Sequence, residues 1–391
     1  MTSETDWRKG LTSSDRYDNI QTLKAGLEAV GVPVADAQKE SFTLESKIYK
    51  ESSSRAAYDA ACQTASRPSL LGSSVPNATI ADDQAQKSDG NSCNPGITIG
   101  SYQDCHYIAE GITAEVYKSS TAALKVIVQT RNIDPHDPYR EAKILRLLKK
   151  PCIPLLETFR DQDQRFVLVF PYMPLSLQNL IEHGRPSRDR ITKHFKDLFT
   201  ALEYLHGQGI IHRDIKPSAL LLQSEDGPAF LSDFGTAWHP TLSTSTEPKD
   251  QKILDIGTGP YRSPETLFGD RSYGPPVDMW AAGAMLAECC RKPPKPLFES
   301  RAAHEDGNQL GLILSIFKTT GSPTRDSWPE ATTFRTPPFD MYQTFEGKDW
   351  PDLLPGVEEE FRAMVASLVK YSSSARASAA QVLRNPCFAD A

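Results

Sequence analysis

Four short segments, far apart in the chain but fixed in order, constrain this sequence most. The first is Lys125 in TAALKVIV, residues 121–128, a run that reads as a strand. The second is Glu141 in YREAKILRLL, which reads as a helix. The third is His212-Arg213-Asp214 in IIHRDIKPSALLL, residues 210–222. The fourth is Asp233-Phe234-Gly235 in AFLSDFG, residues 229–235, a strand running into a loop. Each is weak alone, since a strand lysine is usually a solvated edge residue. The information lies in their order.

The remaining chain falls into three zones. Residues 1–64 read as helical. SSDRYDNIQTLKAGLEAVG (13–31) opens on a Ser/Asp cap, ends at Gly31 before Pro33, and sets Ile20, Leu23 and Leu27 on one face. ADAQKESFTLESKIYK (35–50) aligns Ser41, Leu44 and Ile48, and SSSRAAYDAAC (52–62) reads as a capped third helix. Residues 65–99 are rich in Ser, Pro, Asn, Asp and Gly without a period, which predicts a disordered linker. From residue 100 strands come first and helices after, which predicts an α+β domain with two lobes, a small β-rich one (100–172) and a large helical one (173–391). ITKHFKDLFTALEYLHGQG (191–209) is its strongest helix, with Ile191, Phe195, Leu198, Leu202 and Leu205 in one stripe. QRFVLVF (164–170) is a further strand.

Bulk properties exclude several classes. A formal net charge of -7 gives no overall field for nucleic acid or an acidic membrane. The apolar runs are too short to span a bilayer, and MTSETDWRKG has no secretory h-region. The seven cysteines are scattered, with no C-x-x-C pair, so a reducing compartment, nuclear or cytoplasmic, is expected.

In this order the four segments are what a phosphoryl-transfer site needs. Lys125, held by Glu141, neutralises the α/β-phosphates of ATP. Asp233 holds Mg2+ between the β- and γ-phosphates. Asp214 orients the attacking hydroxyl and accepts its proton. Lys216 meets the γ-phosphate, the serine/threonine pattern. The resemblance of these motifs to the nucleotide site of protein kinases implies that Ile108, Gly111 and Val116 form the nucleotide-covering turn, with Phe170 as gatekeeper and Tyr172 and Met173 lining the adenine site. The plain alternatives are ordinary strand packing for these last residues and a packed, non-catalytic role for His212. Arg213 is expected to pair either with a phosphate on the activation segment or with a carboxylate.

Through these motifs residues 100–388 resemble a eukaryotic serine/threonine protein kinase of the cyclin-dependent-kinase-like group. DIGTGPYRSPETLFGDRSYGPPVDMWAAGAMLAE (255–288) resembles the end of an activation segment and the following helix. Ser263-Pro264-Glu265 stands for A-P-E, with Arg376 the expected partner of Glu265. IPLLETFRDQDQRFVLVFPYM (153–173) and ILDIGTGPYRSPETLFG (253–269) are similar to the fungal monomeric kinase that activates cyclin-dependent kinases. That resemblance implies a protein substrate, a cyclin-dependent kinase, and a monomer. The helix around Glu141 has no PSTAIRE-like sequence, so cyclin dependence is not expected. The alternative is a pseudokinase scaffold that only binds partner proteins.

Two departures stand out. IAEGITAEVYK (108–118) keeps Gly111 and Val116 of G-x-G-x-x-G-x-V, while Ala109 and Ala114 replace the outer glycines. Alanine adds a methyl and resists φ > 0, so weaker nucleotide binding is expected. Ala219 replaces the Asn of H-R-D-x-x-x-x-N, and a methyl cannot coordinate magnesium. The expected penalty is on the order of 10²–10³ in rate, short of abolition.

DWRKGLTSSDRYDNIQTLKAGL (6–27) and FTLESKIYKESSSRAAYDAA (42–61) resemble the KIX domain of coactivators and Mediator subunits. Trp7, Arg8, Leu11, Arg16, Glu45, Ile48, Tyr49 and Tyr58 carry that resemblance. It implies a three-helix bundle whose groove takes amphipathic activation-domain helices. The plain alternative is a helical bundle in which these residues are core.

Overall fold

The computed structural model describes residues 96–111, 113–128, 133–149, 151–300, 308–340 and 343–388, with 19–20, 22–27, 41, 44–45, 47–49, 52 and 54–66. The chain divides into two units, Met1–Ser92 and Cys93–Ala391.

In the first unit Ile20, Leu23 and Leu27 share one buried helical face. Helix α1 (Arg55–Ala65) starts where the Ser54 side chain accepts from Ala57 N–H at 3.2 Å. It begins later than the Ser52 reading and runs one residue into the segment read as linker. Leu23, Tyr58 and Cys62 form its core, with Leu44, Ile48 and Tyr49 against them. The Tyr58 hydroxyl donates to Glu45 at 2.6 Å, which satisfies a carboxylate that is itself buried. Trp7, Arg8, Leu11, Arg16 and residues 67–95 of the linker lie outside the described residues.

The second unit opens on a six-stranded antiparallel sheet in the order β1-β2-β3-β4-β6-β5. The strands are β1 (Ile97–Ile99), β2 (Tyr102–Glu110), β3 (Ala114–Ser119), β4 (Ala122–Ile127), β5 (Glu157–Arg160) and β6 (Phe166–Pro171). Strand β1 lies in the stretch assigned to the linker, and its three residues are too few to show a period. In β4 the alternation is complete. Ala122, Leu124 and Val126 are buried with Ile99, Cys105, Val167 and Val169. Ala123, Lys125 and Ile127 therefore face the other way. Pairing sets Val116, Lys125 and Leu168 in one row across β3, β4 and β6.

Helix α2 (Pro138–Leu145) crosses beside the sheet. Its cap is Asp137, whose carboxylate accepts from Tyr139 and Arg140 N–H at 3.0 and 2.9 Å. A small sheet, β7 (Leu175–Ser176), β8 (Leu220–Leu222) and β9 (Ala229–Leu231), opens the helical lobe. Helix α3 (Leu177–Glu182) follows β7. Helix α4 (Arg188–Gly207) is capped by Ser187 and starts a turn earlier than the sequence reading. Its stripe Ile191, Phe195, Leu198, Leu202 and Leu205 is fully buried. Helix α5 (Pro276–Cys290) is apolar all round and buried on nearly every side, the signature of a core helix. Helices α6 (Asn308–Thr320) and α7 (Glu359–Leu368) complete the lobe. A Cβ on Gly283 of α5 would stand 2.7 Å from Leu368 Cβ, so α5 and α7 pack too closely there for any side chain. Among the described residues no helix is long and apolar enough to cross a membrane.

Candidate active site

The folded chain brings Lys125, Glu141 and Asp233 into contact from a strand, a helix and a loop. Lys125 Nζ donates to Glu141 Oε1 at 2.8 Å and Oε2 at 3.0 Å, and to Asp233 Oδ1 at 3.3 Å. Helix α2 is fixed to the loop by Asp137 N–H, which bonds Gly235 O at 3.2 Å. Burial alone would lower the Lys125 pKa, but the charges of Glu141 and Asp233 outweigh it and keep the ammonium protonated. The same ammonium pulls the Asp233 carboxyl far below the usual range, against burial, and Lys216 adds to the pull. Burial pushes Glu141 upward, and Lys125 opposes that. Glu141 is enclosed while the Asp233 side chain is 45% exposed, so Asp233 is the carboxylate open to a ligand.

Asp214 is held on both oxygens. Thr258 Oγ1 donates to Oδ1 at 2.6 Å, and Lys216 Nζ donates to Oδ2 at 2.5 Å. Lys216 also lies 3.9 Å from Asp233 Oδ2. Burial would lower its pKa, and Asp214 outweighs this and raises it, so Lys216 is a cation between the two aspartates. Arg213 (φ 72) and Asp233 (φ 62) are non-glycine residues in the left-handed region. Such conformations persist where surrounding bonds over-determine them. Asp278, at the start of α5, supplies those bonds to the catalytic loop. Its carboxylate accepts from the backbone N–H of His212 at 2.9 Å and of Arg213 at 2.8 Å, and pairs with the His206 ring at 2.9 Å. His212 is wholly buried, bonds Ser232 O through its ring at 2.8 Å, and meets Phe234 edge-on.

The nucleotide-side residues lie on the sheet and its exit. Gly111 N–H bonds Ala114 O at 2.8 Å at the β2–β3 turn, with Ile108 exposed on β2 and Val116 on β3. Ala109 and Ala114 both lie in strands and neither has positive φ, so the sequence concern about left-handed backbone does not apply. What remains is the added methyl. Phe170 of β6 pairs with Ala123 of β4, and Tyr172 N–H bonds Thr121 O at 2.8 Å, with Met173 next in the chain. The Lys118 ammonium sits 4.4 Å above the Tyr172 ring.

Ala219 is buried where β8 begins. Its carbonyl accepts from both Ser232 N–H and Ser232 Oγ at 2.8 Å. Its methyl offers no oxygen. Glu265 and Arg376 form the expected pair, with two bonds of 2.6 and 2.7 Å. Thr258 and Asp278 were not singled out from the sequence. Only their position in the string DIGTGPYRSPE…VDMW hinted at them.

A curled sheet over a helical lobe, with a lysine–glutamate pair and two loop aspartates at the junction, is the architecture of a protein kinase. Residues 102–388 match the protein kinase domain model, and the chain belongs to that family. It is 35% identical over 289 residues to the serine/threonine-protein kinase csk1 of Schizosaccharomyces pombe, covering 70% of this chain and 90% of that protein. It is 32% identical over 303 residues to cyclin-dependent kinase 7 of Xenopus laevis, covering 74% of this chain and 81% of that protein. The chain is thus a protein serine/threonine kinase close to the cyclin-dependent-kinase-like group. The scaffold-only alternative finds no support in these relatives. Kinases of this family use ATP and magnesium, and the exposed Asp233 carboxylate beside Lys125 and Lys216 fits that use.

Proposed function

We propose that this kinase transfers the γ-phosphate of ATP to a hydroxyl on the activation segment of a cyclin-dependent kinase, without a cyclin of its own. The observation that carries the transfer is the doubly held Asp214, with Thr258 on one oxygen and Lys216 on the other. Asp214 aims the substrate hydroxyl and takes its proton. Lys216 faces the charge that develops on the transferred group. Lys125, locked by Glu141, would take the α/β-phosphates, and Asp233 would hold the magnesium. The bound metal would neutralise charge between the β- and γ-phosphates. The choice of substrate rests on the strings at 153–173 and 253–269, which are similar to the fungal cyclin-dependent-kinase-activating enzyme, and on the likeness to csk1 and cyclin-dependent kinase 7. For the N-terminal unit the KIX-like reading, a site for amphipathic activation-domain helices, stays a proposal from sequence. Its described Leu23, Tyr58 and Cys62 serve as core.

The test is transfer of labelled phosphate from ATP to an inactive cyclin-dependent kinase. Wild type should label its activation segment and Asp214→Asn should not. Equal labelling by the two proteins would end the proposal.

A further inference from the structure

Arg213 sits next to Asp214 in a buried set of charges that phosphoryl transfer does not use. Its Nη1 donates to Glu247 and, at 3.1 Å, to Tyr273 Oη, and its Nε donates to Thr236 O at 2.5 Å. Glu247 Oε1 also accepts from Ile253 N–H at 2.8 Å, and its backbone carbonyl accepts the Trp238 indole N–H at 2.9 Å. Glu247 therefore ties the catalytic loop to two points of the segment between Asp233-Phe234-Gly235 and Ser263-Pro264-Glu265.

Two further cations lie close to this pair. Arg140 of α2 is buried and interacts electrostatically with both Arg213 and Glu247. Lys252 is buried as well, its ammonium 5.0 Å from the Trp238 ring and 5.2 Å from the Tyr273 ring. Arg140 also feels Asp137 and Asp134, and Lys252 feels Asp270, so Glu247 is the carboxylate that the three cations share. Burying positive charge is unfavourable unless an anion compensates it, so removing Glu247 leaves the buried Arg213 without its carboxylate partner. The cavity against Arg213, lined also by Ile215, Ile256 and Gly257, is about 10 Å³, room for one water and not for a phosphoryl group. Nor is Ser243 in TLSTSTE (241–247) free for modification, since it is buried and its hydroxyl accepts from His239 N–H at 2.9 Å.

We propose that Glu247 is a positioning residue for the phosphotransfer reaction. Its carboxylate acts through Arg213 to set the catalytic loop and hold the activation segment ordered. A built-in negative charge does here what an added phosphate does in kinases whose loops order on phosphorylation. Arg213 takes the carboxylate alternative of the two that the sequence left open.

The inference rests on phosphotransfer by this chain and not on which protein it modifies. The assay therefore uses a mixed serine/threonine peptide library with the full chain. Glu247→Ala and Glu247→Gln are each expected to lose on the order of 10²-fold in kcat, since small misplacements of reacting groups are that costly. The KM for ATP should stay within about threefold of wild type. Formate, small enough for the space left in Glu247→Ala, should restore at least part of the rate, which a purely structural loss would not allow. Wild type stripped by phosphatase should keep its rate. A Glu247→Gln protein with wild-type kcat, or a stripped wild type that goes silent, would overturn the proposal. Should Glu247→Ala fail to fold, the isosteric Gln variant and the phosphatase arm still decide. Labelling of the library without labelling of a cyclin-dependent kinase would sink only the substrate assignment.

Discussion

The Thr258 hydroxyl and the Asp214 carboxylate are joined by a 2.6 Å hydrogen bond across 44 positions of sequence. The bond couples the activation segment to the catalytic loop. With Lys216 on the other oxygen, it leaves Asp214 a single orientation. A substrate hydroxyl therefore meets a base already aimed.

Replacing Thr258 with valine keeps the shape and removes the donor. The rate should fall about 10–10²-fold, in the range of general-base and positioning effects. The KM for ATP should move little, since Thr258 meets Asp214 and Lys216 at the γ-phosphate end and not the residues on the sheet. Thr258→Ser keeps the hydroxyl and should stay near wild type. Steady-state kinetics on all three proteins gives the answer, and a valine variant at full rate would show that the bond is dispensable.

The residues legible in the sequence were those inside short contiguous patterns. Lys125, Glu141, Asp214 and Asp233 each came with recognisable neighbours, and the stripe of α4 followed a 3.6-residue period. Arg376 was foreseen as the partner of Glu265 from the family resemblance. Thr258, Asp278 and Glu247 were not read, because their partners lie tens of residues away and polar contacts leave no periodic trace. Glu247 ends TLSTSTE and looks like loop, yet it is buried by tertiary contact alone. Strand β1 was missed for its brevity. The φ part of the concern over Ala109 and Ala114 does not apply, because it assumed a backbone conformation that strands do not need.

Asp278 gives the catalytic loop a pH limit. Burial alone would raise its pKa, but the His206 ring and the two backbone donors outweigh this and hold it below the ordinary 3.8. A depressed carboxyl stabilises the fold fully above its unfolded value and loses that contribution as pH falls through its folded value. Asp278→Asn should therefore be destabilised by about 1–3 kcal/mol at pH 7, the scale for leaving buried donors without their acceptor. The gap to wild type should stay constant down to about pH 4 and narrow below it. Urea melts at pH 7 and pH 3 test this, and a gap that widens in acid would reverse the assignment.

Glu265 and Arg376 make a buried ion pair, tying the end of the activation segment to the residues after α7. Arg376 also donates to Lys370 O and Pro276 O, so it supports three stretches of chain. Glu265→Gln should destabilise by roughly 3–5 kcal/mol, because it leaves a buried guanidinium uncompensated. Arg376→Lys should lose nearly as much, since an ammonium cannot reproduce the two-pronged contact. Thermal unfolding reads both losses. The double variant should lose less than the sum, and strict additivity would mean the two residues are not coupled.

Ala219 carries the last prediction. The family places an oxygen ligand at this position, and here a buried methyl stands beside a serine already bonded to the Ala219 carbonyl. Asp233, with its exposed side chain, is left as the only carboxylate of the predicted metal site. Magnesium keeps several waters when protein ligands are few, so the site weakens without vanishing. Ala219→Asn should lower the magnesium concentration for half-maximal rate and raise kcat by about 10–10²-fold. Ala219→Leu adds bulk without an oxygen and should only lose activity, which separates ligation from packing. Rates measured across a magnesium series decide between the two. No gain from the Asn variant, in a protein that melts like wild type, would mean that the chain has already compensated for the missing ligand.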